Sequence, residues 1–512
     1  MIVVYHSDNK ILEIIDQTGQ KLDITFGKTI AEVLFNLASQ FPCEKLIWCH
    51  NLLRENIDLE EIDALFHHDK MMYSYACGSL NYFNSSIGYV ENTPFIKVNK
   101  KVTYPTWQMS SSIGVIHASV LNLLRGKIKP DADLDYFLCS VAKLCMRIGL
   151  LCYSEPGLLK SNSEVILTQS GMSNLFRFVK QHYRTRWVFL LLLNLFLYER
   201  RVPLLAFLQS FFYKKRDNAK IDLKSIEVQS KRKVVEKGTV DVIIPTIGRK
   251  EYLYDVLKDF AKQTILPNKI IIVEQNPDPA GKSELDYIES ENWPYVIQHF
   301  FIQQAGACNA RNLALSQVES EWVFFADDDI RFEDNFIKKA METIRKYGAN
   351  AVSMSCLQKN EIEKNDMVFQ WAAFGSGCSF VASEFLKSCE FNTGYEFGFG
   401  EDSDFGMQIR NLGLDVLYIP EPTILHLKAP IGGFRTKPVR KWDNELIKPH
   451  PTPTVMLYTI LHNTPEQISL YKTIFIINYY KYWKIKNPIK YYNIIQRHWE
   501  QSVFWANKLN QK

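Results

Sequence analysis

Glu321-Trp322-Val323-Phe324-Phe325-Ala326-Asp327-Asp328-Asp329-Ile330-Arg331 passes from a bulky apolar core straight into three consecutive carboxylates. Residues 322–326 are short, apolar and aromatic, the pattern of a strand buried on both faces. A helical segment over 334–346 follows. Open α/β sheets hold their ligands at the carboxyl ends of strands, so these acids are expected at a ligand site. Three like charges at one strand end repel one another unless something positive sits among them. A hard divalent cation with oxygen ligands, carrying phosphates on its other face, meets that need. A solvated acidic turn is the plainer alternative, and the residues on either side argue against it.

Upstream, Val240-Asp241-Val242-Ile243-Ile244-Pro245-Thr246 reads as a buried strand entering a polar turn with Gly248 and Arg249. An amphipathic helix is expected over 252–263 and another strand over 269–274. Strand–helix–strand alternation builds a parallel sheet with right-handed crossovers. It brings Thr246, Arg249 and Glu274 to the rim that carries the Asp triplet. Gln304-Ala305-Gly306-Ala307-Cys308-Asn309-Ala310-Arg311-Asn312 is a small-residue turn into a helix, whose backbone N–H groups and Arg311 suit a phosphate.

Downstream, Gly375-Ser376-Gly377 is a loop with room for a ligand. In Phe397-Gly398-Phe399-Gly400-Glu401-Asp402-Ser403-Asp404, three carboxylates open a helix that runs to Arg410. The helix dipole favours acids in a first turn, but that accounts for one or two of them. A carboxylate fixed near an acceptor hydroxyl is what a general base requires. A strand over 414–419 then leads through Pro420-Glu421-Pro422 to His426, a candidate metal ligand at a strand end.

In this order and spacing, 241–249, 306–312, Asp327-Asp328-Asp329, Glu401-Asp402-Ser403-Asp404 with Arg410 and Gly413, and His426 resemble the motifs of family 2 glycosyltransferases. These are inverting enzymes of the GT-A fold that use nucleotide sugars and a divalent metal. The resemblance covers residues 240–435. It implies that Asp327 and Asp329 form the DxD pair, Asp329 holding the metal against the diphosphate and Asp327 lying near the ribose or the metal. It makes His426 the third protein ligand and Asp402 the base that deprotonates the acceptor hydroxyl. Pro245, Thr246, Arg249, Glu274, Gly306, Asn309, Arg311, Asp327, Gly377, Glu401 and Asp404 complete the expected substrate site. The implied cofactor is Mn²⁺ or Mg²⁺ and the implied donor a UDP-sugar. The implied acceptor is a glycan or lipid-linked hydroxyl, as in bacterial cell-surface polysaccharide synthesis. One departure stands out: Glu274-Gln275-Asn276 replaces the family's Asp followed by small polar residues, at the contact to the nucleobase.

Length and composition bound the rest. A chain of 512 residues should hold two to four domains, and 46% hydrophobic content is ample for packed cores. A net charge of +4 gives no global argument for nucleic acid. The ten cysteines show no Cys-x-x-Cys pair or zinc-like spacing, and the first residues read as a strand, not a leader. Together these point to a cytoplasmic protein. The expected domains are 1–160, an α/β domain; 161–237, a helical connector and linker; 238–437, catalytic; and 438–512, a helical extension.

The first domain echoes the second. Leu46-Ile47-Trp48-Cys49-His50 stands where 324–329 would, with Cys49 and His50 in place of acids, and Ser112-Ile113-Gly114 parallels Gly375-Ser376-Gly377. Asp135-Tyr136-Phe137 parallels Asp404-Phe405, and Arg147, Gly149 and Glu155-Pro156 parallel Arg410, Gly413 and Glu421-Pro422. Residues 1–160 are thus expected to be a degenerate GT-A-like domain without metal–nucleotide binding. In the connector, basic residues from Arg177 to Arg186 and Arg200-Arg201 bracket the apolar run 187–198, too short to span a bilayer. A buried helical hairpin is the favoured expectation; a helix lying on the inner face of the membrane is the other. Gly432-Gly433-Phe434-Arg435 is a candidate lid, and 471–505 has helical spacing. Other functions fit this pattern less well than glycosyl transfer. A sugar nucleotidyltransferase wants a Gly-rich basic loop that Thr246-Ile247-Gly248-Arg249 lacks, and a non-catalytic carbohydrate scaffold has no use for Asp327, Asp329, Asp402 and His426.

Overall fold

The computed structural model describes residues 1–22, 27–78, 80–161, 169–217, 220–430, 439–482 and 485–511. The chain forms two compact units, Met1–Lys231 with Asn463–Phe475, and Arg232–His462 with Ile476–Lys512. The segments expected as a connector and a helical extension are thus shared out between these units. The candidate lid, 432–435, lies outside the described residues.

Each unit is organised on one sheet. In the first unit the strands are β1 (Ile2–Ser7), β2 (Lys10–Asp16), β3 (Lys45–His50), β4 (Met71–Tyr75), β5 (Tyr104–Pro105), β6 (Ile113–His117) and β7 (Leu151–Ser154), in the order β2-β1-β3-β6-β4-β7-β5. In the second they are β8 (Val240–Thr246), β9 (Lys269–Gln275), β10 (Val296–Ile302), β11 (Trp322–Ala326), β12 (Ile330–Arg331), β13 (Ala351–Gln358), β14 (Phe369–Gln370), β15 (Cys378–Ala382) and β16 (Leu417–His426). Their order is β10-β9-β8-β11-β15-β13-β16-β12, with β14 paired to β16.

The apolar run 322–326 is the centre of the second sheet. β11 lies parallel to β8 and antiparallel to β15, and all five of its residues are fully buried. Phe324 stacks on Phe380 with centroids 4.4 Å apart, while Phe325 meets Phe374, Phe391 and Phe405 on the other face. Two-sided burial leaves the strand one exit, through Asp327. The helix expected over 334–346 is Phe336–Tyr347, stopped by Gly348 at φ 62°, a backbone state glycine takes at little cost. β16 extends beyond the expected 414–419 to His426, passing Pro420 and Pro422. The pairing register shifts between Met354 and Cys356 of the partner strand, opposite these prolines, whose nitrogens have no hydrogen to donate to the ladder.

The two sheets share a common plan. β1-β3-β6-β4-β7-β5 and β8-β11-β15-β13-β16-β14 have the same chain order and the same alternation of parallel and antiparallel pairs. A helix joins the corresponding strands in each, Leu134–Cys145 before β7 and Glu401–Asn411 before β16. Glycines at φ 88° and 93°, Gly149 and Gly413, follow these helices. Among the described residues the first sheet has no counterpart of parallel β9 and β10; the antiparallel hairpin strand β2 takes that edge.

The apolar run after residue 186 forms helix Arg186–Asn194, a π-helical turn Leu195–Glu199 and helix Leu204–Ser210. It differs from the favoured expectation, because much of its apolar surface is exposed.

Candidate active site

Strand ends β8 and β11, the loop before β15, the start of helix Glu401–Asn411 and the end of β16 converge on a cleft of about 770 Å³. Asp327, Asp328 and Asp329 leave β11 at its floor, and the acids separate because each finds different partners. Asp328 is 3% exposed and accepts from Thr246 Oγ1 at 2.7 Å and from Arg249 at 2.5 Å. Burial pushes its pKa up to about 6, with the Arg249 charge working against it. Thr246 and Arg249, expected to line the nucleotide site, therefore also secure the middle acid.

Asp329 turns the other way. One of its oxygens accepts the Ala429 amide at 2.8 Å, and Arg249 stands 3.3 Å from the carboxylate. Its Oδ1 is buried without a hydrogen bond of good geometry, although His426 Nε2 lies 3.2 Å away. Burial works to raise the Asp329 pKa, but His426, the Ala429 amide and Arg249 outweigh it and hold it low. The same pairing raises His426. Among the described residues, Asp327, Asp329 and His426 bring one ligand atom each within 4.8 Å of one another. An orphaned carboxylate oxygen facing an imidazole nitrogen, with a second carboxylate alongside, suits a divalent cation.

Asp327 has little lateral room. Arg311 reaches it at 3.3 Å, and a Cβ on Gly377 would come within 2.1 Å of its carboxylate. Arg311 is buried and packs over the Phe391 ring, 5.4 Å from its centroid. Across the cleft, the Ser376 hydroxyl donates to Asp402. Burial raises the Asp402 pKa, opposed by Arg311 and Ser376. Glu401 is pushed up to about 7, by burial and then by Asp402. A half-buried acid, held by a hydroxyl and poised above its ordinary range, is equipped to take a proton.

Pro245, Gly306, Gly377 and Glu401 also line the cleft, whereas Glu274, Asn309 and Asp404 lie outside its lining. Glu274 accepts from the Glu284 amide and from His299 Nε2 at 2.9 Å; Gln275 faces the cleft instead. Asp404 is taken by Tyr395, Gln408 and His462, the last at 2.6 Å, so it anchors helix Pro453–His462. The amides of Cys308 and Asn309, which the sequence offers to a phosphate, donate to Glu396 at 3.3 and 2.7 Å. Ser376, Glu396 and Lys428 line the cleft without having been singled out from the sequence. Ser376 lies inside the Gly375-Ser376-Gly377 loop and Lys428 two residues past His426. Glu396 gave no signal, since its partners lie far back in the chain.

Residues 241–397 match the family model described as Glycosyl transferase family 2. The second unit carries a family 2 glycosyltransferase domain. Its sheet is that of the GT-A fold, with the Asp triplet at the end of the central strand. No curated protein matches the sequence. Among solved structures, S. aureus TarS 1–349 is 18% identical over 37% of this chain and 60% of that one, with a TM-score of 0.31. The same fragment in complex with UDP-GlcNAc is 17% identical over 52% and 79%, with a TM-score of 0.38. The mannosyltransferase PcManGT from Pyrobaculum calidifontis, in complex with GDP-Man and Mn²⁺, is 15% identical over 56% and 78%, with a TM-score of 0.34. The chain thus spans about 60% of the length of the first TarS structure it matches, and overlaps of this size add nothing to the family match.

Proposed function

We propose that the glycosyltransferase domain transfers a sugar from a nucleotide-diphosphate donor, a UDP-sugar, to a hydroxyl of a glycan or lipid-linked acceptor, with inversion, in cell-surface polysaccharide synthesis. One observation carries this reading: a single cleft holds three side chains able to ligate a cation and, separately, the half-buried, Ser376-held carboxylate of Asp402. Asp327, Asp329 and His426 would hold Mn²⁺ or Mg²⁺, which when bound offsets charge on the departing diphosphate. Arg249 and Arg311 fix the floor acids and add positive charge beside the donor. Asp402 takes the acceptor's proton as the acceptor oxygen bonds to the anomeric carbon, and the bond to the donor phosphate breaks with its electron pair going to the diphosphate. The ten cysteines are all free thiols, which suits a reducing compartment. A panel of nucleotide sugars, assayed for hydrolysis and transfer with Mn²⁺ or Mg²⁺, tests the proposal. Turnover of no donor by the wild type, or full turnover by Asp402→Asn, would sink it.

We further propose that the first unit is a non-catalytic copy of the same sheet. The Ser111 hydroxyl donates to Asp135 at 2.6 Å, each residue placed in its unit as Ser376 and Asp402 are in theirs. This registers Asp135 with Asp402, two positions from the Asp404 match drawn from sequence. Cys49 pairs with the first residue of β6 as Ala326 pairs with the first of β15, so His50 takes the place of Asp327. A 3-10 turn, Asn51–Asn56, follows it, and Leu159 bridges Ile57 where His426 pairs with Ile330. Calorimetry with UDP and Mn²⁺ should give one site per chain; two sites would refute the assignment.

A further inference from the structure

Helix Arg186–Asn194, its π-helical continuation Leu195–Glu199 and helix Leu204–Ser210 turn Val188, Leu191, Leu195 and Ala206 into the core of the first unit. Their other face is open. Phe189, Phe196, Leu204 and Leu208 are exposed, with Leu205 at 71% and Phe212 at 87%. The rings of Phe189, Phe207 and Phe211 lie 5.2 to 5.7 Å apart and join the two helices into one apolar surface. Single exposed apolar residues need no explanation, but a contiguous patch marks something that covers it.

The rim of the patch identifies the cover. Arg184, Arg186, Arg200, Arg201, Lys214 and Lys215 are all exposed. Glu199 is the one acid between residues 172 and 216, in a chain whose net charge is only +4. We propose that this face lies on an anionic lipid surface, with the apolar side chains at the acyl boundary and the basic rim among the headgroups. Among the described residues no helix is long and apolar enough to cross a membrane, so the segment rests on the bilayer. A second copy of the chain fits less well. A two-fold contact places the same patch on both partners, which would set two basic rims against each other. This inference stands apart from the catalytic reading, because it uses no residue of the cleft.

Sedimentation of the full chain with vesicles tests it. Wild type should pellet with phosphatidylglycerol-containing vesicles at low salt, pellet poorly with pure phosphatidylcholine, and be released as salt screens the rim. Leu205→Asp with Phe212→Asp should abolish binding to both vesicles. Arg184→Glu, Arg186→Glu, Lys214→Glu and Lys215→Glu together should lower partition to anionic vesicles by at least about a hundredfold, at roughly fivefold per basic residue lost. Both variants should keep wild-type circular dichroism and donor turnover in solution. The proposal is overturned if wild type ignores anionic vesicles at low salt, or if the Leu205→Asp, Phe212→Asp variant binds them normally. It is equally overturned by a wild-type dimer that this variant dissolves, which would make the face a contact between copies.

Discussion

Ser376 stands two residues before β15 and donates its hydroxyl to Asp402, the second residue of helix Glu401–Asn411. That bond crosses the cleft from loop to helix and fixes the carboxylate proposed to accept the acceptor's proton. It stabilises the ionised acid against the burial that raises its pKa. A base must be ionised to act, so activity should fall as pH drops through that raised value. Ser376→Ala removes a stabilising bond to the anion, which lifts the pKa further. The acid limb of kcat/KM should therefore move to higher pH in Ser376→Ala. Asp402→Asn should keep donor affinity while kcat falls about 10²-fold or more. An acid limb in Ser376→Ala that is unmoved or shifted to lower pH contradicts this role.

Gly377→Ala should injure the proposed cation site without replacing any of its proposed ligands. A Cβ at 377 would meet the Asp327 carboxylate at 2.1 Å, a distance no packing tolerates. Asp327 must swing away from Asp329 and His426. The expected result is a loss of at least about tenfold in Mn²⁺-dependent UDP affinity, roughly 1.4 kcal/mol. Isothermal titration with and without Mn²⁺ reads it directly.

Asp329→Ala and His426→Ala should each weaken cation-dependent nucleotide binding and leave the fold intact. Their facing atoms are 3.2 Å apart, and each side chain keeps the other's charge in place. Nucleotide affinity measured in EDTA should be alike in wild type and both variants. Wild-type affinity with Mn²⁺ in either variant would remove that residue from the cation site.

His462→Ala should separate stability from catalysis. His462 holds the buried Asp404 at 2.6 Å, and Tyr395 and Gln408 are the acid's other partners. Loss of one partner from a buried carboxylate costs about 1–3 kcal/mol. Urea unfolding should show that loss while KM for the donor is unchanged. A raised donor KM with unaltered stability would return Asp404 to the substrate site.

The sequence by itself was enough to locate β8, β11 and the helices around them, because two-faced burial writes an uninterrupted apolar run and a helix writes a 3.6-residue period. It also located the cleft. Strands that point the same way end on one rim, so Asp327, Asp329 and His426 were expected together there, whereas Asp402 was marked by the acidic start of its helix. Which carboxylates point into that rim was a tertiary matter. Asp404 is one helical turn from Glu401, yet His462, 58 residues on, draws it away. Glu396 reaches amides 87 and 88 residues earlier in the chain, a pairing no local pattern encodes. The shared plan of the two sheets was likewise blurred in sequence by the 3-10 turn after His50 and the missing strands. Scattered parallels such as Ser112-Ile113-Gly114 with Gly375-Ser376-Gly377 announced it, but its exact register came from strand pairing, which the backbone fixes and side-chain identity leaves open. Exposure of the run after residue 186 was undecidable for the same reason. An apolar helix reads alike whether it faces a core or a bilayer, and only the packed chain shows which neighbours it lacks.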